Sequence, residues 1–184
     1  MAKRKQQSSN LTHSIIQEQQ KKPQRPFELR TIKPLTLNQQ KTFTSYDEGT
    51  NLVLHGYAGT GKTFISLYLA LDEILNYNHT PYNKVCIIRS IVSSRNPGFL
   101  PGDHKMKASV FEEPYHEICD DLFGRGDGYN ILKMKGLVDF TTTSFLRGRT
   151  FRNCIIIVDE PQNMTFHELD TVMTRVGDNT KIIF

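Results

Sequence analysis

Residues 56–63 read Gly56-Tyr57-Ala58-Gly59-Thr60-Gly61-Lys62-Thr63, a complete G-x-x-x-x-G-K-[ST] string. Its residue types answer the needs of a polyphosphate. Glycines let backbone N–H groups close around phosphate oxygens. Lys62 adds a full positive charge near the β- and γ-phosphates, and the Thr63 hydroxyl is placed to ligate Mg²⁺. The flanks suit the string. Leu52-Val53-Leu54-His55 before it is apolar and strand-like, and residues 64–75 after it have helical apolar spacing. A helix that starts at the loop points its partial positive end at the same anion. All residues of the loop are therefore candidates for cradling phosphate. Such a chain binds a nucleoside triphosphate, or descends from one that did.

The other half of a site lies far downstream. Asn153-Cys154-Ile155-Ile156-Ile157-Val158 is the short β-branched run of a buried parallel strand, and it ends in Asp159-Glu160. In a phosphate-loop enzyme, a carboxylate at the tip of a neighbouring strand holds Mg²⁺. A second carboxylate beside it can orient the attacking water as general base. Asp159 is the candidate metal ligand and Glu160 the candidate base. Alone, an acidic pair after a strand is an ordinary solvated loop; beside a phosphate loop it gains a catalytic meaning. The histidines offer no rival chemistry. His167-Glu168 lacks a second His four residues after the first, and none of the others has metal-ligand spacing.

The elements that must position these residues alternate. Residues 35–47 predict a helix with Thr36 as a cap. The phosphate-loop strand and helix follow, then a strand at residues 84–89 and a turn-rich stretch at 93–102. Residues 108–123 predict a helix despite Pro114, and residues 124–128 a surface turn. Strands are expected at 138–141, 154–158 and 181–184. A helix is expected over 165–176, with Thr165 as cap and Gly177 as stop. Strands alternating with helices predict a mostly parallel sheet with helices on both faces.

Composition bounds the rest. At 184 residues the length suits one domain. Cys86, Cys119 and Cys154 form no C-x-x-C pair and read as reduced thiols, so a cytoplasmic setting is expected. No apolar stretch approaches a membrane span, and no apolar core follows the basic N-terminus as in a secretory signal, so no membrane partner is expected. The net charge of +4 is unevenly placed: residues 1–34 carry eight Lys/Arg against two Asp/Glu. Residues 1–30 are read as a disordered basic, polar tail ahead of the domain at 31–184. Such an arm suits contact with single-stranded RNA or DNA, and equally suits a solubilising role.

From about residue 32 to 184 the chain resembles the PhoH-like ATPases, a phosphate-loop group related to superfamily 1 helicases that phages often encode. The resemblance rests on ordered segments. These are Asn38-Gln39-Gln40; the loop itself; Gly98-Phe99-Leu100-Pro101-Gly102-Asp103 with Lys107; Arg147-Gly148-Arg149-Thr150; Asp159-Glu160-Pro161-Gln162-Asn163; and Met173-Thr174-Arg175-Val176-Gly177. It implies a three-layer RecA/helicase-like NTPase, ATP and Mg²⁺ as cofactors, Gln39 near adenine, and Gln162 as a γ-phosphate sensor. A ring-shaped homo-oligomer would fit, with Arg147 or Arg149 contacting phosphate, nucleic acid or a neighbouring subunit's γ-phosphate; Arg175 shares that ambiguity. Two departures stand out. Pro161 replaces an alanine and should push Glu160 toward extended angles. The Gly-Asp turn and glutamine that follow the family's last strand are not found after Phe184, so a truncated last strand and poor turnover are expected.

These readings converge on an ATP-binding protein with Mg²⁺-dependent hydrolysis coupled to RNA or DNA. The alternatives are a nucleotide-gated nucleic-acid-binding module with little turnover, a small-molecule kinase and a non-catalytic remnant. The paired Asp159-Glu160 argues against the kinase.

Overall fold

The computed structural model describes residues 27–90 and 104–184, with side chains of the second stretch described from residue 110 onward. Among these residues, four strands form one sheet: β1 (Lys84–Arg89), β2 (Val138–Thr142), β3 (Cys154–Asp159) and β4 (Thr180–Ile183). Their order is β2-β1-β3-β4, and every pairing is parallel. The helices are α1 (Leu37–Asp47), α2 (Lys62–Asn76), α3 (His104–Phe123), α4 (Gly128–Met134) and α5 (Phe166–Met173). This is the α/β, phosphate-loop NTPase architecture that the order of elements predicts.

β1 and β3 are central because their sequences are apolar on both faces. All six residues of β3 are buried. Alternate side chains sort to two cores. Val85, Ile87, Ile155 and Ile157 meet Leu67, Leu71, Tyr115 and Leu122 of α2 and α3 on one face. Cys86, Ile88, Ile156 and Val158 meet Leu146, Phe151 and Val172 on the other. Burial of both faces is the usual condition of a parallel sheet.

The run ahead of the phosphate loop joins this sheet beyond β4. The amides of Leu52 and Leu54 donate to the carbonyls of Ile182 (3.0 Å) and Phe184 (2.7 Å), and the Phe184 amide returns a bond to Leu52 (2.9 Å). The pairing is parallel and brief, with Leu52 opposite Ile183. β4 therefore lies between β3 and the loop. Its near end is pinned by Lys181, whose 5 % exposed ammonium sits 3.5 Å from Glu73 Oε2 and 3.1 Å from the Tyr46 carbonyl.

The expected caps are present. The Thr36 hydroxyl accepts from the Gln39 amide, and Thr165 and Glu168 form a reciprocal capping box. Other elements differ from expectation. α3 runs through Pro114, which leaves the Val110 carbonyl without a helical partner. Val110 is 64 % exposed, so water can take that role. α4 was not legible: its glycine- and aspartate-rich approach reads as a turn, yet buried Tyr129 and Leu132 anchor it. α5 ends at Met173, and Gly177 does not stop it. Gly177 is small for a different reason. A Cβ there would meet the Phe151 carbonyl oxygen at 2.7 Å, the same oxygen that accepts from the Gly177 amide at 2.8 Å.

Residues 1–26 of the expected tail, the segment from Gly98 to Asp103 and the Lys107 side chain lie outside the described residues. Residues 27–30 pack on the end of α3. Phe27 stacks on Phe123 at 4.4 Å, and the Arg30 amide donates to the Leu122 carbonyl. Among the described residues, no helix is long and apolar enough to cross a membrane.

Candidate functional site

The loop from Gly56 to Thr63 turns on two glycines. Gly59 and Gly61 adopt φ of 74° and 81°, left-handed values that a side chain would disfavour. Gly61 is also the N-cap of α2 and supplies no side-chain acceptor to its first N–H groups, which leaves them for an anion. Gly56 carries no such constraint; a Cβ there would meet only the Thr60 hydroxyl, at an ordinary 3.6 Å. The Lys62 ammonium lies across the loop and donates to the carbonyls of Gly56 (2.9 Å) and Tyr57 (2.8 Å). The Thr60 hydroxyl donates to the same Tyr57 carbonyl at 2.9 Å, and the Tyr57 side chain is 90 % exposed. Gln39 reaches the loop from α1. Its Oε1 accepts from the Leu35 amide at 2.7 Å, and its Nε2 lies 3.9 Å from where a Gly61 Cβ would stand.

Asp159 closes the site from β3. Its Oδ1 accepts from the Thr63 hydroxyl at 2.9 Å, a bond between residues 96 apart in sequence. Its Oδ2 accepts from the Tyr115 phenol at 2.8 Å, and Arg89 Nη1 lies 3.9 Å from the same oxygen. Burial first, and the Asp159 charge second, push the Tyr115 phenol far above the ordinary tyrosine range, so it remains a donor. Neither Arg89 nor Tyr115 was singled out in the sequence. Arg89 had one legible clue, a cation at a strand tip. Tyr115 had none beyond helical apolar spacing.

The donor set fits Mg²⁺. Thr63 and Asp159 bring a hydroxyl and a carboxylate oxygen together, and these two hard oxygen donors are the residues that would hold the ion. No cluster of three or more His, Cys, Asp or Glu side chains that could cage a metal occurs among the described residues. That suits an ion that keeps waters and takes phosphate oxygens.

Glu160 departs from expectation. It is not extended: φ is 52° and ψ 48°. The left-handed residue reverses the chain into a 3-10 turn at Pro161–Asn163, closed by the Asn163 amide on the Glu160 carbonyl at 3.0 Å. Pro161 stands at the first position of that turn, where its missing N–H costs nothing. The turn brings the Gln162 amide nitrogen onto Glu160 Oε2.

Loop and acidic tip face each other across a cleft of about 370 Å³ at the carboxyl ends of the strands, with Phe184 among its walls. Because β4 separates β3 from residues 52–54, the strands that lead into the loop and the acidic tip run roughly two strand spacings, on the order of 10 Å, apart, and the Thr63 and Asp159 side chains bridge that gap at 2.9 Å. Ala58, Lys62 and Thr63 line one side; Asp159, Glu160 and Gln162 line the other.

Residues 31–184 match the family described as "PhoH-like protein". The chain belongs to the PhoH-like family. It is similar to Protein PhoH2 of Bacillus subtilis, with 34 % identity over 136 residues, covering 72 % of this chain and 30 % of that protein. It is similar to a PhoH-like protein of Synechocystis sp., with 35 % identity over 129 residues, covering 70 % of this chain and 38 % of the relative. A PhoH-like protein of Mycobacterium leprae is 29 % identical over 157 residues, covering 84 % and 43 %. The chain thus spans less than half the length of each of these relatives. The PhoH-like family is a phosphate-loop NTPase family, and membership implies use of nucleotide and Mg²⁺.

The three arginines left open in the PhoH-like motifs separate here. Arg149 pairs with Asp139 at 2.6 Å and lies over the Phe151 ring at 5.2 Å, which ties it to the fold. The Arg175 Nε is buried without a hydrogen-bond partner among the described residues. Arg147 is exposed. It lines a recess of about 330 Å³ with Thr143, Ser144, His167, Glu168 and Thr171. Two exposed rings, Phe145 at 58 % and Phe166 at 86 %, belong to the segments that form this recess.

Proposed function

We propose that the chain binds ATP with Mg²⁺, and that a PhoH-like protein containing it hydrolyses ATP in a cycle coupled to single-stranded RNA or DNA. The observation that carries this reading is the 2.9 Å bond from Thr63 to Asp159, which joins the two halves of the site. Lys62 and the loop amides hold the triphosphate. Thr63 and Asp159 hold the metal, and Mg²⁺ bound there supplies positive charge to the β- and γ-phosphate oxygens. Glu160 takes a proton from water as its oxygen bonds the γ-phosphorus and the bond to the ADP oxygen breaks. Gln162, donating to Oε2 of Glu160, leaves Oε1 free for that water and stands where it can report the γ-phosphate. Gln39 offers its amide to adenine beside Gly61.

The nucleic-acid part rests on Arg147. A guanidinium for phosphate and aromatic faces for bases are what a single strand needs, and the recess at the strand tips places Phe145, Arg147 and Phe166 in adjoining segments. In a ring of copies, an arginine from a neighbour could complete the shell around the γ-phosphate.

Titration with a fluorescent ATP analogue and Mg²⁺ tests the binding step. Lys62→Ala should lose most affinity while remaining folded; unchanged affinity would sink the phosphate-loop reading. Glu160→Gln should keep nucleotide and lose phosphate release, whereas loss of both would give Glu160 a structural role. For nucleic acid, affinity should fall steeply with salt. Arg147→Ala should weaken it; deletion of residues 1–26 with no loss from Arg147→Ala would move the contact to the tail. No binding of either RNA or DNA at low salt would remove this part of the proposal.

A further inference from the structure

We infer that Tyr115 is the positioning residue of the metal-binding carboxylate: its phenol holds one oxygen of Asp159 and so fixes the plane of the group, with the other oxygen facing Thr63 and Mg²⁺. The inference rests on the Mg²⁺-nucleotide reading above and adds a residue from a helix outside both motifs. An aspartate carboxylate has a broad, roughly two-fold terminal torsion and needs an external bond to select one orientation. Asp159 has its two oxygens divided. Oδ1 accepts from Thr63 at 2.9 Å, and Oδ2 accepts from Tyr115 at 2.8 Å. Arg89, at 3.9 Å, is beyond hydrogen-bond range and gives Oδ2 charge without direction. Among the described residues, Tyr115 is therefore the directional contact on that side.

The phenol is itself held. Tyr115 is fully buried, its ring 5.8 Å from Phe140 of β2 and 6.4 Å from Tyr129 of α4. A ring packed between two elements cannot follow a rotating carboxylate, so the carboxylate must conform to the ring. This is the arrangement by which groups behind a metal ligand orient it, and loss of such a partner typically costs 10–100-fold in metal affinity or activity.

The fold contains its own control. Tyr129 is equally buried and donates its phenol to Glu112 at 2.7 Å, with no contact to Asp159. Tyr115→Phe and Tyr129→Phe each remove one buried hydroxyl and keep the ring. Thermal unfolding of both variants reports the general cost of that loss. The deciding measurement is the affinity for a non-hydrolysable fluorescent ATP analogue across a Mg²⁺ series, with an EDTA arm for metal-free binding. Tyr115→Phe should raise the Mg²⁺ concentration needed for tight binding about 10-fold and leave metal-free affinity unchanged. Tyr129→Phe should leave both at the wild-type values. An unshifted Mg²⁺ dependence in Tyr115→Phe, or an equal shift in Tyr129→Phe, would overturn the inference. So would a Tyr115→Phe loss that appears equally in EDTA. A wild-type protein whose nucleotide binding ignores Mg²⁺ would instead overturn the reading underneath, and the inference with it.

Discussion

Replacing Glu160 with glycine should stabilise the protein while removing its chemistry. Of the three non-glycine residues with positive φ among those described, two are Asn153 and Asn179, a type that tolerates the left-handed region. Glu160 is the exception, and it also precedes a proline, which restricts it further. The left-handed conformation costs an ordinary residue roughly 1–2 kcal/mol. Glycine removes that cost but adds about 0.5–1 kcal/mol through the freedom it gains in the unfolded chain. Its side-chain bond is to exposed Gln162, so little is lost there. The net gain should be about 0.5–1 kcal/mol, equivalent to roughly 1–4 °C in melting temperature for a domain of this size. Glu160→Gln keeps the strained backbone and serves as the reference. The chain has no tryptophan, so melting is followed by circular dichroism, without nucleotide. Both variants should fail to release phosphate. Glu160→Gly melting at or below Glu160→Gln would show that the turn is not strained and would refute this reasoning.

In the phosphate loop, Gly59→Ala and Gly61→Ala should each cost about 1–2 kcal/mol and weaken nucleotide binding, because both need left-handed φ; Gly56→Ala, which has room for a Cβ, should cost much less in the same urea titrations. Glu168 is held at about 2, chiefly by the Thr143 hydroxyl and then by the Thr165 amide and the Ser90 hydroxyl, against an ordinary value of 4.5. A carboxyl depressed on folding contributes stability above its unfolded pKa and loses it as pH falls toward the folded one. Wild type should therefore lose more stability than Glu168→Gln between pH 4.5 and pH 2. Glu73→Ala should destabilise by about 3 kcal/mol, since it strands the buried Lys181 ammonium; equilibrium unfolding showing a loss below about 1 kcal/mol would mean that the pair behaves as a surface one.

What the sequence made legible is what local chemistry dictates. The β-branched runs of β1 and β3, the Thr36 and Thr165 caps and the loop glycines each act through near neighbours. The position of β4 between β3 and residues 52–54 is a long-range choice with no local mark, although it sets the width of the cleft. Tyr115 was hidden for a similar reason: a buried phenol on a helix looks like core until its partner is known. Glu160 misled because proline chemistry favours extended backbone, and the demand for a chain reversal after β3 prevailed. Gly177 was recognised as necessary, but for a cap in place of the close approach to Phe151 that requires it.

The pairing of residues 52–54 with β4 also orders events in time. The Asn51 side chain accepts from the Ile182 amide across 131 residues of chain, and the backbone bonds of Leu52 and Leu54 close the same span. The phosphate loop emerges early from the ribosome, yet its supporting strand finds its sheet neighbour only after everything between has been made. Contacts of such separation are entropically late and slow to form. Loop and acidic tip thus acquire their spacing only when residues 52–54 pair with β4. A nascent chain that has already folded α1 and α2 should still have no competence for nucleotide, and tight nucleotide retention during synthesis would mark the moment at which residues 52–54 have paired with β4.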